Sequence, residues 1–228
     1  MISCKNVGVF YPESNSIFPS KRKANGFWAL KNLTFDLKRG ETLGLIGKNG
    51  AGKSTALSII NKIIDPDRGT IETFNHSSLL LSINAGLSAN LSGRKNIYLI
   101  GLTLGLTKKQ IDERIDEIIA FTEIKAFIDK PVDTYSTGMR TRLGFSTALF
   151  LEPDVLLVDE VLSVGDKDFK KKSHYALKDK LSKNTTAIIA SHSESTILGL
   201  CSKALLMENG ESVAYGTPEE VFKIYNKL

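Results

Sequence analysis

The sequence predicts an α/β fold: a nucleotide-type core of mostly parallel strands with helices, an antiparallel β subdomain, and a helical subdomain inserted between core strands. Three observations carry that prediction. Short apolar runs at Thr42–Ile46, Asp154–Asp159 and Thr185–Ala190 have the length and continuity of buried parallel strands. The first of them runs into a glycine-rich loop and then into helical spacing from Ala56 to Ile64. From Arg94 to Thr122 the pattern turns wholly helical through Ile97, Ile100, Leu104, Ile111, Ile115, Ile118 and Ile119, which breaks the strand–helix alternation. The reading is a single domain over 1–228 whose helical insertion occupies roughly residues 85–150.

In chain order, residues 2–10 and 29–38 alternate apolar and polar, as in Leu33, Phe35 and Leu37 against Thr34, Asp36 and Lys38. That is the pattern of antiparallel or edge strands. Between them, Pro12 to Gly26 is rich in Ser, Asn, Lys and Pro and reads as a loop with a basic tip at Lys21-Arg22-Lys23. Asp65-Pro66-Asp67-Arg68-Gly69 is a turn before the strand-like Thr70–Phe74, and another apolar run covers 78–83. Within the insertion, Gly105-Leu106-Thr107 separates two helices, and Thr107 with Gln110 has capping-box spacing. The tail reads as strand Ala204–Glu208, turn Asn209-Gly210, strand Glu211–Tyr215 and a helix after Pro218.

The whole-chain totals bound the function classes. With 228 residues, 42% hydrophobic and 24% charged, the chain has the composition of an ordinary globular protein with a substantial core. A formal charge of +5 suits a membrane surface or nucleic acid and decides between neither. Cys4 and Cys201 stand far apart without metal-ligand spacing, so neither a disulfide framework nor a zinc site is expected. The first residues lack the charged-then-apolar pattern of a leader, and no run reaches the ~18 apolar residues of a spanning helix. A non-spanning, cytoplasmic chain is the expectation.

The chemistry begins at Gly47-Lys48-Asn49-Gly50-Ala51-Gly52-Lys53-Ser54-Thr55, which fits G-x-x-x-x-G-K-[ST] at every defined position. Glycines let such a loop wrap with its N–H groups inward, the next helix adds its positive end, and Lys53 brings a full charge to the β/γ-phosphates. Ser54 is placed to offer a hydroxyl to Mg²⁺. The run Asp154–Glu160 ends in two carboxylates at a strand's carboxyl end, where open parallel sheets bind ligands. Asp159 then suits Mg²⁺ through a water, and Glu160 suits an attacking water. His192, after a third strand directed at the same edge, has the reach of a γ-phosphate or water contact. Tyr11 is the candidate platform for a nucleotide base, with Trp28 as the alternative.

A second anion site is legible at Tyr135-Ser136-Thr137-Gly138-Met139, where a Ser-Thr-Gly turn opens an apolar helix. Two phosphate sites in one chain, the second on an inserted arm, suggest that each copy completes the other's nucleotide site.

In the order and spacing of these motifs the sequence resembles the nucleotide-binding subunits of ABC transporters over almost its whole length. Gly47–Thr55 resembles Walker A, Val155–Asp159 Walker B, Glu160 the catalytic glutamate and His192 the switch histidine. Ser163-Val164-Gly165-Asp166 stands in the place of the D-loop, and Tyr135–Met139 in that of the Leu-Ser-Gly-Gly-Gln signature, where only Ser136 and Gly138 match directly. The Q-loop glutamine is absent from Leu81-Ser82-Ile83-Asn84-Ala85-Gly86, so Asn84 or Ser82 takes its place as the metal or water contact. Tyr-Ser-Thr-Gly-Met-Arg, Asp159–Asp166 and Leu91-Ser92-Gly93-Arg94-Lys95-Asn96-Ile97 resemble the branch that exports O-antigen, capsule and teichoic acid.

That resemblance implies an ATPase using ATP and Mg²⁺, a head-to-tail homodimer, a polytopic membrane permease, a lipid-linked glycan as cargo and a place on the cytoplasmic face of the membrane. It implies no nucleic-acid partner. The chain ends too soon for the carbohydrate-recognition domain that some O-antigen members add. A soluble ATPase acting on DNA or ribosomes, and an importer subunit, are the competing readings. The former typically carries two cassettes or a long coiled coil, and neither is legible here.

Overall fold

A computed structural model describes residues 2–13, 25–73, 77–81, 86–159 and 166–228. The chain forms two compact units, one of Met1–Phe74 with Ile189–Leu228 and one of Asn75–Ile188.

In the first unit, β1 (Ile2–Pro12), β2 (Gly26–Leu37) and β4 (Arg68–Thr73) make the antiparallel portion, with Cys4 opposite both Phe35 and Ile71. Strand β9 (Glu211–Gly216) runs parallel to β2 and antiparallel to β8 (Lys203–Glu208), which in turn runs parallel to β3 (Thr42–Ile46). The order is β4-β1-β2-β9-β8-β3. Alternation along β2 resolves as expected, with Leu33, Phe35 and Leu37 buried and Thr34 and Asp36 exposed. All five residues of β3 are buried, as a continuous apolar run between neighbours requires.

Helix α1 (Lys53–Ile60) is shorter than the apolar spacing to Ile64 allows. Lys62 enters the left-handed region at φ 56°, and the Ile63 and Lys62 N–H groups return to Ser58 and Ile59 carbonyls at 2.9 Å each. This is a Schellman ending, and it satisfies the orphan carbonyls of the last turn. Helices α7 (Glu194–Leu200) and α8 (Pro218–Tyr225) complete the unit. The latter starts with a Thr217/Glu220 capping box and proline in its first turn.

In the second unit, β5 (Ser78–Leu81) pairs in parallel with β6 (Val155–Asp159), and β7 (Thr186–Ala190) lies on the other side of β6. The helices are α2 (Gly93–Thr103), α3 (Lys108–Asp112), α4 (Ile115–Thr122), α5 (Thr137–Leu151) and α6 (Lys167–Ser182). Leu106 and Gly105 N–H groups close the end of α2 on Gly101 and Leu102 at 3.0 Å each, with Gly105 at φ 82°. The Thr107/Gln110 capping box then opens α3. The single helix read over the second half of the insertion is two, because the Arg114 N–H takes the tighter bond to Ile111 while its guanidinium serves the end of α5 at Phe150 O (2.9 Å) and Glu152 (3.0 Å). The apolar spacing survives the break. Ile97, Ile100, Ile111, Ile115, Ile118 and Ile119 share one core with Tyr135, Leu143 and Leu151.

Among the described residues no helix is long and apolar enough to cross a membrane. Cys4 and Cys201 are unpaired, and burial pushes both thiols up to about 12, so both stay protonated at neutral pH.

Candidate nucleotide site

In the first unit, β3 carries the chain outward into the glycine-rich loop. Gly47 is buried, while Lys48, Asn49 and Gly50 form an exposed tip closed by the Ala51 N–H on the Lys48 carbonyl at 3.1 Å. Two glycines are required for different reasons. Gly50 has φ 80° with nothing within 4 Å of where a Cβ would stand. Gly52 has φ 102°, and its Cβ would lie 2.7 Å from both Ala29 O and Leu30 Cδ2.

Gly52 is also the N-cap of α1, with no side-chain cap and no acidic residue in the first turn. No side chain caps this helix start, which is the arrangement of an anion site. Lys53 is 7% exposed, and its Nζ donates to the Gly47 and Lys48 carbonyls at 2.7 and 3.2 Å. Its ammonium is held inside the curve of the loop. Ser54 is exposed and Thr55 half-buried.

The two aromatic candidates separate. Tyr11 is 39% exposed and stacks on Phe27, with centroids 5.6 Å apart. Trp28 is already covered, by the Arg68 guanidinium 4.3 Å over its ring and by Phe10 at 5.4 Å. A base-stacking surface thus survives at Tyr11. His192 is exposed two residues beyond β7, immediately before Ser193, whose Oγ caps α7 by accepting from Thr196 N at 3.3 Å.

In the second unit, Val155–Val158 are buried and Asp159 is half-buried at the carboxyl end of β6. Glu160, Ser82, Asn84 and Ser163–Gly165 lie outside the described residues, as do His76 and the basic tip Lys21–Lys23. Asp166 is the N-cap of α6, accepting from Phe169 N at 3.0 Å. That amide, together with Arg142, holds its carboxyl at about 2.

Arg142 is a residue that sequence reasoning did not single out. It bonds Asp166 and, at 2.6 Å, Glu123, and it lies 4.6 Å over the Phe169 ring. Lys172 joins Glu123 from α6 at 2.8 Å. No local signal marks Arg142, because its partners Glu123 and Asp166 stand 19 and 24 residues away in the sequence.

The second anion site divides by direction. Ser136 is the exposed N-cap of α5, and its Oγ accepts from Met139 N at 3.2 Å. Thr137 is exposed, and a Cβ on Gly138 would meet only Ser136 Oγ, at 3.9 Å. Tyr135 instead turns inward: it is 4% exposed, its hydroxyl donates to Phe127 O at 2.7 Å, and burial raises its pKa. Met139 packs partly against the same core. Of the five residues, Ser136 and Thr137 face outward and Gly138 leaves open space beside Ser136.

The chain has counterparts among known proteins. The family pattern described as "ABC transporter" matches residues 30–163. The teichoic acids export ATP-binding protein TagH of Lactococcus lactis is 43% identical over 92% of the chain, which spans 45% of that relative's length. The O-antigen export system ATP-binding protein RfbB of Klebsiella pneumoniae is 37% identical, over 92% of this chain and 88% of its own. Among solved structures, an ATP-binding subunit of an ABC transporter superposes with a TM-score of 0.81 at 20% identity, over 99% of this chain and 93% of that one. The dimeric ATP-binding cassette MJ0796, in a post-hydrolysis state bound to ADP and Pi, superposes at 0.80 and 20% identity over 96% and 99%. At that identity the likeness is one of fold, the ABC ATPase fold.

Proposed function

Since the chain belongs to the ABC transporter family, we propose that it is the ATP-binding and ATP-hydrolysing subunit of an exporter of lipid-linked cell-surface polysaccharide, of O-antigen, capsule or teichoic-acid type. The observation that carries this reading is that relatives bearing those export names align over nearly the whole chain, signature and phosphate loop included. In this reading the chain sits peripherally on the cytoplasmic face of the membrane. It works as a homodimer with a polytopic permease, which residues 85–130 of the inserted helical subdomain meet.

Each group has a derivable task. The uncapped start of α1 and the loop amides hold the phosphates of ATP, and Lys53 neutralises their charge from within the loop. Tyr11 offers a face to the base. A hydroxyl at Ser54 and a carboxylate at Asp159 are hard oxygen donors of the kind Mg²⁺ takes beside nucleotide phosphates. Among the described residues no cluster of three or more His, Cys, Asp or Glu could hold a metal by itself, which suits an ion that arrives with the nucleotide. Held there with the nucleotide, Mg²⁺ would supply positive charge to offset the charge that develops on the phosphates.

Glu160 orients and deprotonates the attacking water, His192 contacts the γ-phosphate or that water, and Asn84 or Ser82 takes the Q-loop role. Ser136 and Gly138 of one copy close over the γ-phosphate held by the Gly47–Thr55 loop of the other. Asp166 stands at the D-loop between them. ATP-driven closure and post-hydrolysis opening of the dimer then move the permease.

The test is surface export. In cells lacking this chain, re-expression should restore the glycan to the surface and a Glu160→Gln variant should not, while the purified chain pulls down a polytopic membrane protein. Restoration by Glu160→Gln, or co-purification with nucleic acid in place of a membrane protein, would overturn the reading.

A further inference from the structure

The two motifs that mark the polysaccharide branch, Leu91–Ile97 and Tyr135–Met139, lie far apart in sequence and meet at one point. A Cβ on Gly93 would stand 2.5 Å from the Tyr135 hydroxyl, 2.9 Å from Ile128 Cδ1 and 3.0 Å from Ile128 O. Gly93 opens α2, with Ser92 as its N-cap accepting from Lys95 N at 3.3 Å. The glycine is there because the phenol needs the space.

Around that contact, residues 89–94 are laced to the stretch 128–133 that leads into Tyr135. Arg94 N donates to Ile128 O, Val132 N to Leu91 O and Asp133 N to Ala89 O, each at 2.9 Å. Ser92 bridges Pro131, and Arg94 pairs with Asp129 at 2.7 Å. Asn96, with no exposed surface, ties the upstream loop down: its Nδ2 donates to Ser88, Leu91 and Ser92 carbonyls and its Oδ1 accepts from Ser88 N. The chain runs from this lattice through Tyr135 directly into Ser136, the cap of α5.

We infer that Tyr135 and Gly93 are positioning residues for Ser136: the phenol seated over the glycine fixes where α5 starts, and so where Ser136 and Gly138 face the partner's nucleotide. The inference rests on the composite-site reading above. It assigns the aromatic at the head of the signature a mechanical task, one that ties the start of α2 to the γ-phosphate contact. Tyr135 is no part of the chain's own nucleotide loop, so its loss acts on turnover and ATP-driven dimerisation while leaving the first ATP encounter alone.

The experiment is a cycle on the full chain with Gly93→Ala, Tyr135→Phe and the double variant, read by kcat, KM for ATP, ATP-driven dimerisation and melting temperature. Gly93→Ala is expected to lower kcat about tenfold or more, as a small misplacement of a positioning group does, with KM for ATP unchanged. Tyr135→Phe removes the nearest clash and leaves those with Ile128 at 2.9 and 3.0 Å, so the double variant should recover part of the kcat that Gly93→Ala loses. Additive losses without that rescue, or losses of kcat that merely follow the melting temperature, overturn the inference. Ser136→Ala in the same series separates the two claims. If it leaves turnover intact, the composite site itself fails. If it abolishes turnover while Gly93→Ala changes nothing, only the positioning role fails.

Discussion

Replacing Gly50 and Gly52 by alanine, one at a time, separates the part of the phosphate loop that serves the ligand from the part that serves the fold. Both glycines have left-handed φ, 80° and 102°, so alanine at either costs about 1–2 kcal/mol of backbone strain. At Gly50 nothing is added, because the new methyl points into open space. At Gly52 the methyl meets the Ala29 carbonyl and Leu30 at 2.7 Å, and the carbonyl is backbone of a paired strand that cannot swing aside. Overpacking of that kind adds about 1–3 kcal/mol. The totals are about 1–2 kcal/mol for Gly50→Ala and about 2–5 kcal/mol for Gly52→Ala. With a shift of about 2–4 °C per kcal/mol for a chain of this size, the melting temperatures should fall by about 2–8 °C and 4–20 °C. Thermal unfolding without nucleotide measures this, and calorimetric titration with ATP and Mg²⁺ measures binding. Gly50→Ala should weaken ATP binding well beyond its effect on stability, since its methyl intrudes where the loop's exposed face receives phosphate. Equal destabilisation by the two variants, or parental ATP affinity in Gly50→Ala, would refute the assignment of the loop's open face to the ligand.

Other outcomes follow from the same geometry. Glu160→Gln should lower ATP turnover about 100-fold or more while leaving nucleotide binding measurable, as removal of a water-activating group does; steady-state phosphate release reads it. Tyr11→Ala should weaken ATP and GTP alike by about 5- to 150-fold, because stacking worth about 1–3 kcal/mol reads no base edge; fluorescent-nucleotide competition checks it. Ser136→Ala should cost about 1 kcal/mol of stability through its lost cap on Met139 N and should abolish cooperative turnover. Asp166 has its folded pKa lowered to about 2 by the Phe169 amide and Arg142, so its stabilisation is complete above the ordinary value near 3.8 and is lost as pH falls through about 2. The stability difference between the parent and Asp166→Asn should therefore be flat at pH 5–7 and shrink below pH 4, measured by urea unfolding.

Legibility in the sequence followed the range of the interaction. Strand β3, the capping box at Thr107, the helix after Pro218 and the Asn209-Gly210 turn were readable because each is fixed by a few neighbouring residues. The early end of α1 was not, since the left-handed Lys62 carries no glycine signal. Arg114 shows why one helix became two: its guanidinium belongs to the end of α5, 36 residues on, which no local window contains. The direction of Tyr135 was hidden for the same reason. In sequence it is the first residue of an anion site, and only the glycine at position 93 reveals that its ring belongs to the core.

The two helix starts proposed to meet phosphate are built differently, and the difference suits them to different jobs. Helix α1 begins on a left-handed glycine with no side-chain cap, and its start is wrapped by a loop that already contains a buried ammonium. Such a start can hold a polyphosphate alone. Helix α5 begins on Ser136, whose oxygen has accepted the Met139 amide and whose hydroxyl proton remains to donate outward. The nearest cation, Arg140, already donates to the Asp133 carbonyl at 3.2 Å, and with a glycine at 138 leaving open space this start offers one directed donor and close approach but little binding charge. It suits a group that is brought up to a nucleotide already bound elsewhere. That asymmetry is the physical argument for a loop that binds ATP by itself and hydrolyses it only when a second copy supplies its α5.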